Sequence, residues 1–189
     1  MAQSKANNTV RISAGEWRSR LLKFPDVDGL RPTPDRVRQT VFNWLGQELH
    51  GLTCLDLFAG TGVMGFEALS RGAKQAVLVE NSRPAYQALL DNKTSLKAEH
   101  ATILNQDALH FLKQNKALFD VVFIDPPFAM GMAVQACQWL EDKDWLSKHA
   151  KIYVEAESTL KLDGIPPNWR QLKSKVAGEV GYHLFERQG

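Results

Sequence analysis

The chain has 189 residues, 44% of them hydrophobic and 23% charged, with a formal net charge of +2. That is enough for one domain with a proper core, too little for two full ones, and too near neutrality to mark a nucleic-acid binder by itself. No apolar run approaches the length of a membrane span and the first eight residues are polar, so the chain reads as cytoplasmic, with no membrane partner. Cys54 and Cys137 stand alone in apolar surroundings and read as reduced core thiols, and the histidines form no ligand-spaced pair, so no metal is expected.

The charge is unevenly spread. Residues 1–40 hold eight basic side chains (Lys5, Arg11, Arg18, Arg20, Lys23, Arg31, Arg36, Arg38) against four acids (Glu16, Asp26, Asp28, Asp35). That segment is therefore net +4, while the rest, with fifteen basic and seventeen acidic residues, is net −2. A basic segment beside a slightly acidic body suggests two surfaces for two partners, although a merely solvated basic face reads equally well at this point.

In chain order, residues 9–24 place extended-type residues around Ala14-Gly15 and read as a β-hairpin with Trp17 near its turn. A loop with Asp28-Gly29 follows. Thr33-Pro34-Asp35 then opens a helix, with Thr33 as cap, Pro34 in the first helical position and Asp35 at the positive end of the dipole. Val37, Val41, Trp44, Leu45 and Leu49 recur at helical spacing and give it a buried face. Beyond Gly51 the pattern alternates. Strands are expected at 53–58, 75–80, 101–105, 120–125 and 151–155, with helices at 62–71, 83–96, 108–114 and 133–141 between them. The tail, 169–187, has the character of a closing antiparallel pair around Gly178. Repeated strand–helix units of this kind specify a parallel sheet with helices on both faces, a Rossmann-like α/β fold.

Gly60-Thr61-Gly62-Val63-Met64-Gly65 matches G-x-G-x-x-G directly after the first of those strands, and Glu80 follows 20 residues past Gly60, placed for a ribose diol. Alone, this fits NAD as well as S-adenosyl-L-methionine. Three features favour the latter. The first four strands end at or near a carboxylate (Asp56, Glu80, Asp107, Asp125), and an acidic crevice repels a pyrophosphate but suits an ammonium and a sulfonium. The chain leaves no room for a dehydrogenase's substrate domain. The fourth strand runs into Asp125-Pro126-Pro127-Phe128 beside the switch point of the sheet. The Asp125 carboxylate and Pro126 carbonyl can accept the two N–H bonds of an exocyclic amine on a base, turning its delocalised lone pair toward a methyl donor, while Phe128 offers a stacking face. Adjacent prolines stiffen that loop and leave carbonyls without competing donors.

These motifs resemble the bacterial 16S rRNA (guanine-N2) methyltransferases that act on the small ribosomal subunit. The resemblance covers nearly the whole chain, through Arg31-Pro-Thr-Pro-Asp-Arg-Val-Arg38, Phe42-Asn-Trp-Leu45, Leu55-Asp-Leu-Phe-Ala-Gly-Thr-Gly62, Glu67-Ala-Leu-Ser-Arg-Gly72 and Phe119-Asp-Val-Val-Phe-Ile-Asp-Pro-Pro-Phe128. The Asp-Pro-Pro-aromatic motif alone is shared with adenine-N6 enzymes. Thr61 stands where serine is frequent and Phe128 where tyrosine is common, and both keep the chemistry. The resemblance implies a seven-stranded class I S-adenosyl-L-methionine-dependent methyltransferase fold. It divides the chain into an RNA-binding extension (1–50, hairpin plus helix) and a catalytic domain (51–189), acting as a monomer on one guanosine of 16S rRNA in an assembled or partly assembled small subunit. Asp56, Gly60 and Gly62 would meet the methionine part of the cofactor, Glu80 and Asn81 the ribose, Asp107 and Ala108 the adenine. Asp125, Pro126 and Phe128 would hold the base, and Arg11, Arg18, Arg20, Arg31, Arg36 and Arg38 would meet RNA. Some of these residues also have structural readings: Asp56 and Asp107 as helix caps, Phe58 as core rather than cofactor wall. Adenine-N6 methylation of RNA or DNA, and a non-catalytic RNA-binding or assembly protein, are the competing functions.

Overall fold

The computed structural model describes residues 8–114, 117–127 and 131–189. A short antiparallel hairpin opens the chain, β1 (Asn8–Arg11) and β2 (Leu21–Phe24), followed by α1 (Asp35–Leu45). The alternating part then runs β3 (Thr53–Asp56), α2 (Val63–Ser70), β4 (Gln75–Glu80), α3 (Arg83–Leu96), β5 (Ala101–Asn105), α4 (Ala108–Phe111), β6 (Phe119–Ile124), α5 (Met132–Asp142) and β7 (Leu146–Glu157). The antiparallel strands β8 (Trp169–Ala177) and β9 (Val180–Arg187) close it. The seven-stranded sheet has the order β5-β4-β3-β6-β7-β9-β8, parallel from β5 to β7 and antiparallel thereafter. This is a doubly wound sheet whose strand order reverses between β3 and β6, so the carboxyl ends of those two strands flank the crevice.

β4, α3 and β5 occupy the expected residues, because their apolar patterns end at unambiguous caps and turns. Ser82 caps α3 through the Ala85 N–H, and Pro84 sits in its first turn. β7 extends past both expected ends, since its first residues pair with Phe119 and its last with β9. Thr33 does not cap α1: Pro34 is the cap residue, no side chain bonds there, and the Thr33 carbonyl instead accepts from Arg38.

The sheet separates two apolar layers. One contains Leu55, Val122, Ile124, Leu140, Trp145 and Ile152. The other joins the N-terminal segment to the sheet: Val10, Ile12 and Leu22 of the hairpin region and Val41, Phe42 and Leu45 of α1 pack with Val121, Phe123, Tyr153 and Leu184. Hairpin, α1 and sheet thus share one core. Among the described residues, no helix is long and apolar enough to cross a membrane.

A buried ionic cluster locks that union. Glu67 of α2 is fully buried and accepts from the Ser13 and Ala14 backbone N–H groups and from Arg71. Arg38 of α1, also fully buried, donates to the carbonyls of Thr33 (2.8 Å) and Arg11 (2.6 Å), to Ser13 Oγ and to Asp35, and lies 3.9 Å from Glu67. The Arg71 guanidinium stacks over Phe42 at 4.4 Å. The expectation that Arg38 meets RNA is therefore corrected. Its charge is consumed inside the fold, where it satisfies backbone carbonyls that the hairpin and loop would otherwise bury unpaired.

Candidate methyl-transfer site

Three carboxylates come from successive strand ends along the crevice. Glu80 closes β4 and accepts from Gly60 N–H (2.7 Å) and Ser82 N–H (2.9 Å), tying the glycine turn to the start of α3. Asp56 closes β3, is 4% exposed, and accepts from Gly65 N–H at 3.0 Å. Burial, with a further contribution from Glu80, pushes its carboxyl up to about 8 against the pull of that N–H bond. Asp125 follows β6, where burial first, then the carboxylates of Glu155 and Asp56, hold its carboxyl well above the ordinary range.

The glycines divide their tasks. Gly62 adopts φ +77° at the start of α2, and a Cβ there would fall 2.4 Å from Leu89 Cδ2. A Cβ on Gly65 would lie 2.8 Å from Leu78 Cγ, so this glycine lets α2 press onto β4. Gly60 alone of the three opens onto the cavity beyond the strands.

That cavity, about 260 Å3, is walled by Leu57, Phe58, Val79 and Met132 with Glu80, Asn81, Asp107 and Ala108 around them. A small-ligand pocket combines apolar walls with a few placed polar groups in this way. A half-buried carboxylate beside a glycine backbone, with flat apolar walls further out, fits the ribose and adenine of a nucleoside cofactor. Phe58 lines the cavity and also packs against the adjoining apolar layer. Asp107 lines it while capping α4 through His110 N–H at 2.8 Å. Asp56 and Gly62 are not among its lining residues, and their structural roles, cap and packing, are the ones the geometry displays.

A second cavity, about 360 Å3, adjoins the first and shares Gly29 and Pro127 with it. Asp125, Pro126, Glu155, Arg31, Pro34 and Val180 line it. Phe128 lies outside the described residues. The loop between β2 and α1 roofs both cavities, with Val27 to Leu30 over the first and Arg31 to Pro34 over the second. Sequence reasoning placed no function in that loop before Arg31 and passed over Glu155. The latter had a signal: it interrupts the apolar run of β7 at the crevice end, as Asp125 does for β6. Tyr153 donates to Glu155 Oε2 at 2.9 Å.

The basic residues divide by position. Arg31 lines the second cavity, and Arg36 exerts a charge effect on Tyr182 beside Glu155. Arg11, Arg18 and Arg20 are exposed near the hairpin turn. Arg20 donates to the Ser95 carbonyl (2.9 Å) near the end of α3, whereas Ser82 at the start of α3 borders the cofactor cavity. Fourteen helical residues separate those ends, roughly 20 Å of rise. The hairpin turn and the crevice lie at opposite ends of α3. Among the described residues, no group of three or more His, Cys, Asp or Glu could hold a metal ion.

Residues 10–186 match the family described as Conserved hypothetical protein 95. "Ribosomal RNA small subunit methyltransferase D" of Escherichia coli K12 is 46% identical over 179 residues, 95% of this chain and 90% of that one. The protein of the same name from Haemophilus influenzae is 47% identical over 185 residues, 96% and 95% of the two chains. The chain belongs to this methyltransferase family. The solved structure of E. coli yhhF superposes with a TM-score of 0.89 at 44% identity, covering 96% of this chain and 99% of that one. The 16S rRNA N2 methyltransferase RsmC of T. thermophilus, solved with AdoMet and guanosine, shares the fold at a TM-score of 0.71 and 22% identity, covering 97% of this chain and 50% of that one. Membership makes the chain a class I methyltransferase, with S-adenosyl-L-methionine as methyl donor.

Proposed function

We propose that this enzyme methylates the exocyclic N2 amine of a guanosine in 16S rRNA, working in the cytoplasm as a monomer on an assembled or partly assembled small subunit. The observation that carries the reading is the pair of adjoining cavities that share Pro127, one built for a nucleoside cofactor and the other holding Asp125 and Pro126. Methylation of small-subunit ribosomal RNA is the activity in the relatives' name.

S-adenosyl-L-methionine supplies an electrophilic methyl group when bound. Glu80 and Asn81 would orient its ribose, and Asp107 and Ala108 its adenine. In the second cavity the Asp125 carboxylate and the Pro126 carbonyl would each accept one N–H of the amine. That geometry turns the nitrogen lone pair toward the first cavity. Asp125 also places negative charge beside the nitrogen as it becomes cationic. Its raised proton affinity then suits it to take up the proton the nitrogen sheds. Phe128 would stack on the base, and Arg31 and Arg36 would hold phosphates at the mouth, with Arg11, Arg18 and Arg20 touching RNA further away.

Mass spectrometry of nucleosides from rRNA of cells with and without the gene is the test. Loss of one N2-methylguanosine is expected, and loss of an N6-methyladenosine instead would make this an adenine enzyme.

A further inference from the structure

The second cavity contains more acid than methyl transfer requires. Ile124 of β6 pairs with Val154 of β7, so the next residues, Asp125 and Glu155, are register neighbours whose side chains leave the same face of the sheet. Both line the one cavity, opposite Arg31 and Pro34. Tyr153, two residues earlier on that face, donates to Glu155 Oε2 at 2.9 Å, and among the described residues no hydrogen bond engages Oε1. Two neighbouring carboxylates in a half-enclosed site repel each other, and the repulsion is relieved either when one takes up a proton or when a ligand brings two adjacent donors between them.

The bases differ in this respect. Guanine presents its N2 amine and its N1–H side by side, two donors in a row. Adenine presents its N6 amine beside an unprotonated N1, whose lone pair would face a carboxylate. Resting on the guanine-N2 reading above, we propose that Glu155, held by Tyr153, accepts the N1–H of the target base and so selects guanine over adenine. Asp125 and Pro126 then align the amine, while Glu155 reads the atom next to it. A site built to bond a group rejects the analogue lacking it far more strongly than an apolar pocket can, because its own polar atoms are left unpaired.

The probe is 2-aminopurine, which keeps the amine but has no hydrogen on N1. The full chain is assayed for methyl transfer to its RNA substrate, carrying guanosine or 2-aminopurine riboside at the mapped target. Wild type should prefer guanosine. Glu155→Gln should lose roughly ten- to hundredfold in kcat/KM on guanosine and narrow the preference by a similar factor, since its amide can donate to the bare N1. Cofactor affinity by calorimetry should be unchanged, because Glu155 does not line the first cavity. Tyr153→Phe, which frees the carboxylate without removing it, should show a smaller loss of the same sign. A Glu155→Gln enzyme that keeps the wild-type base preference overturns the role of Glu155 and leaves the guanine reading standing, provided wild type yields N2-methylguanosine. A wild-type product of N6-methyladenosine overturns both.

Discussion

Asp125 has two demands on it that pull in opposite directions. As an acceptor for the amine it must be ionised, yet burial and the neighbouring Glu155 and Asp56 carboxylates favour its protonated form. Below its raised pKa the side chain carries an O–H that cannot accept from the amine, and above it the acceptor is present. Glu155 from β7 and Asp56 from β3 act on this balance, while Tyr153 from β7 and Arg31 from the loop above stand at the same site. We therefore expect kcat/KM to fall with decreasing pH through a midpoint above the roughly 3.9 of a free aspartate. Glu155→Gln removes one of the raising charges and should move that limb to lower pH. Asp125→Ala should bind cofactor normally yet lose about two to three orders of magnitude in turnover, the usual effect of deleting one aimed transition-state partner. Normal turnover in Asp125→Ala, or a pH profile unmoved by the Glu155 change, would remove these carboxylates from the chemistry.

At the scale of elements, the junction of hairpin, α1 and α2 depends on Glu67, whose carboxylate serves two backbone N–H groups and two arginines. Glu67→Ala leaves Arg71 buried without its carboxylate and Arg38 with only that of Asp35, which should cost on the order of 3–5 kcal/mol in urea unfolding. A loss below about 1 kcal/mol would mean the arginines find other partners. This junction also marks what one sequence can reveal. Local pattern sufficed for the existence of the hairpin and helices and for the place of Glu80 at a strand end, since periodicity and turns are written within a few residues, but not for the cap of α1 or for α4, which ends at Phe111. It failed for Arg38, because its burial rests on groups distant in sequence: the Arg11 carbonyl and Ser13 Oγ of the hairpin region, and the Glu67 carboxylate 29 positions away. Asp56 was ambiguous for a similar reason. Whether a carboxylate at a strand end faces a ligand or caps the next helix depends on how far α2 advances over it. Glu155 was legible by the rule that picked out Asp125, had that rule been carried to one more strand.

The whole molecule carries basic groups at both ends of α3. Arg31 and Arg36 stand beside the crevice carboxylates at one end, while Arg18 and Arg20 are exposed by the hairpin turn at the other, Arg20 bonded to Ser95. An RNA held at both ends must span that distance, which favours a structured or ribonucleoprotein target over a short single strand. Arg18→Glu with Arg20→Glu should weaken RNA or subunit binding and lower the salt slope by about 0.7 to 0.9 for each phosphate no longer neutralised, the larger value belonging to paired RNA, with cofactor affinity unchanged. An unaltered slope would make the hairpin turn a solvated surface. The shared core under that hairpin has another consequence. Val10, Ile12 and Leu22 sit in the same apolar layer as Phe123 and Leu184, so the basic arm cannot be lifted off and exchanged like a cassette. Deleting the arm would open that face of the catalytic sheet to water. The hairpin is thus both the proposed RNA-facing surface and a wall of the catalytic core, so a change of target is tolerated where it alters its exposed side chains and not where it alters Val10, Ile12 or Leu22.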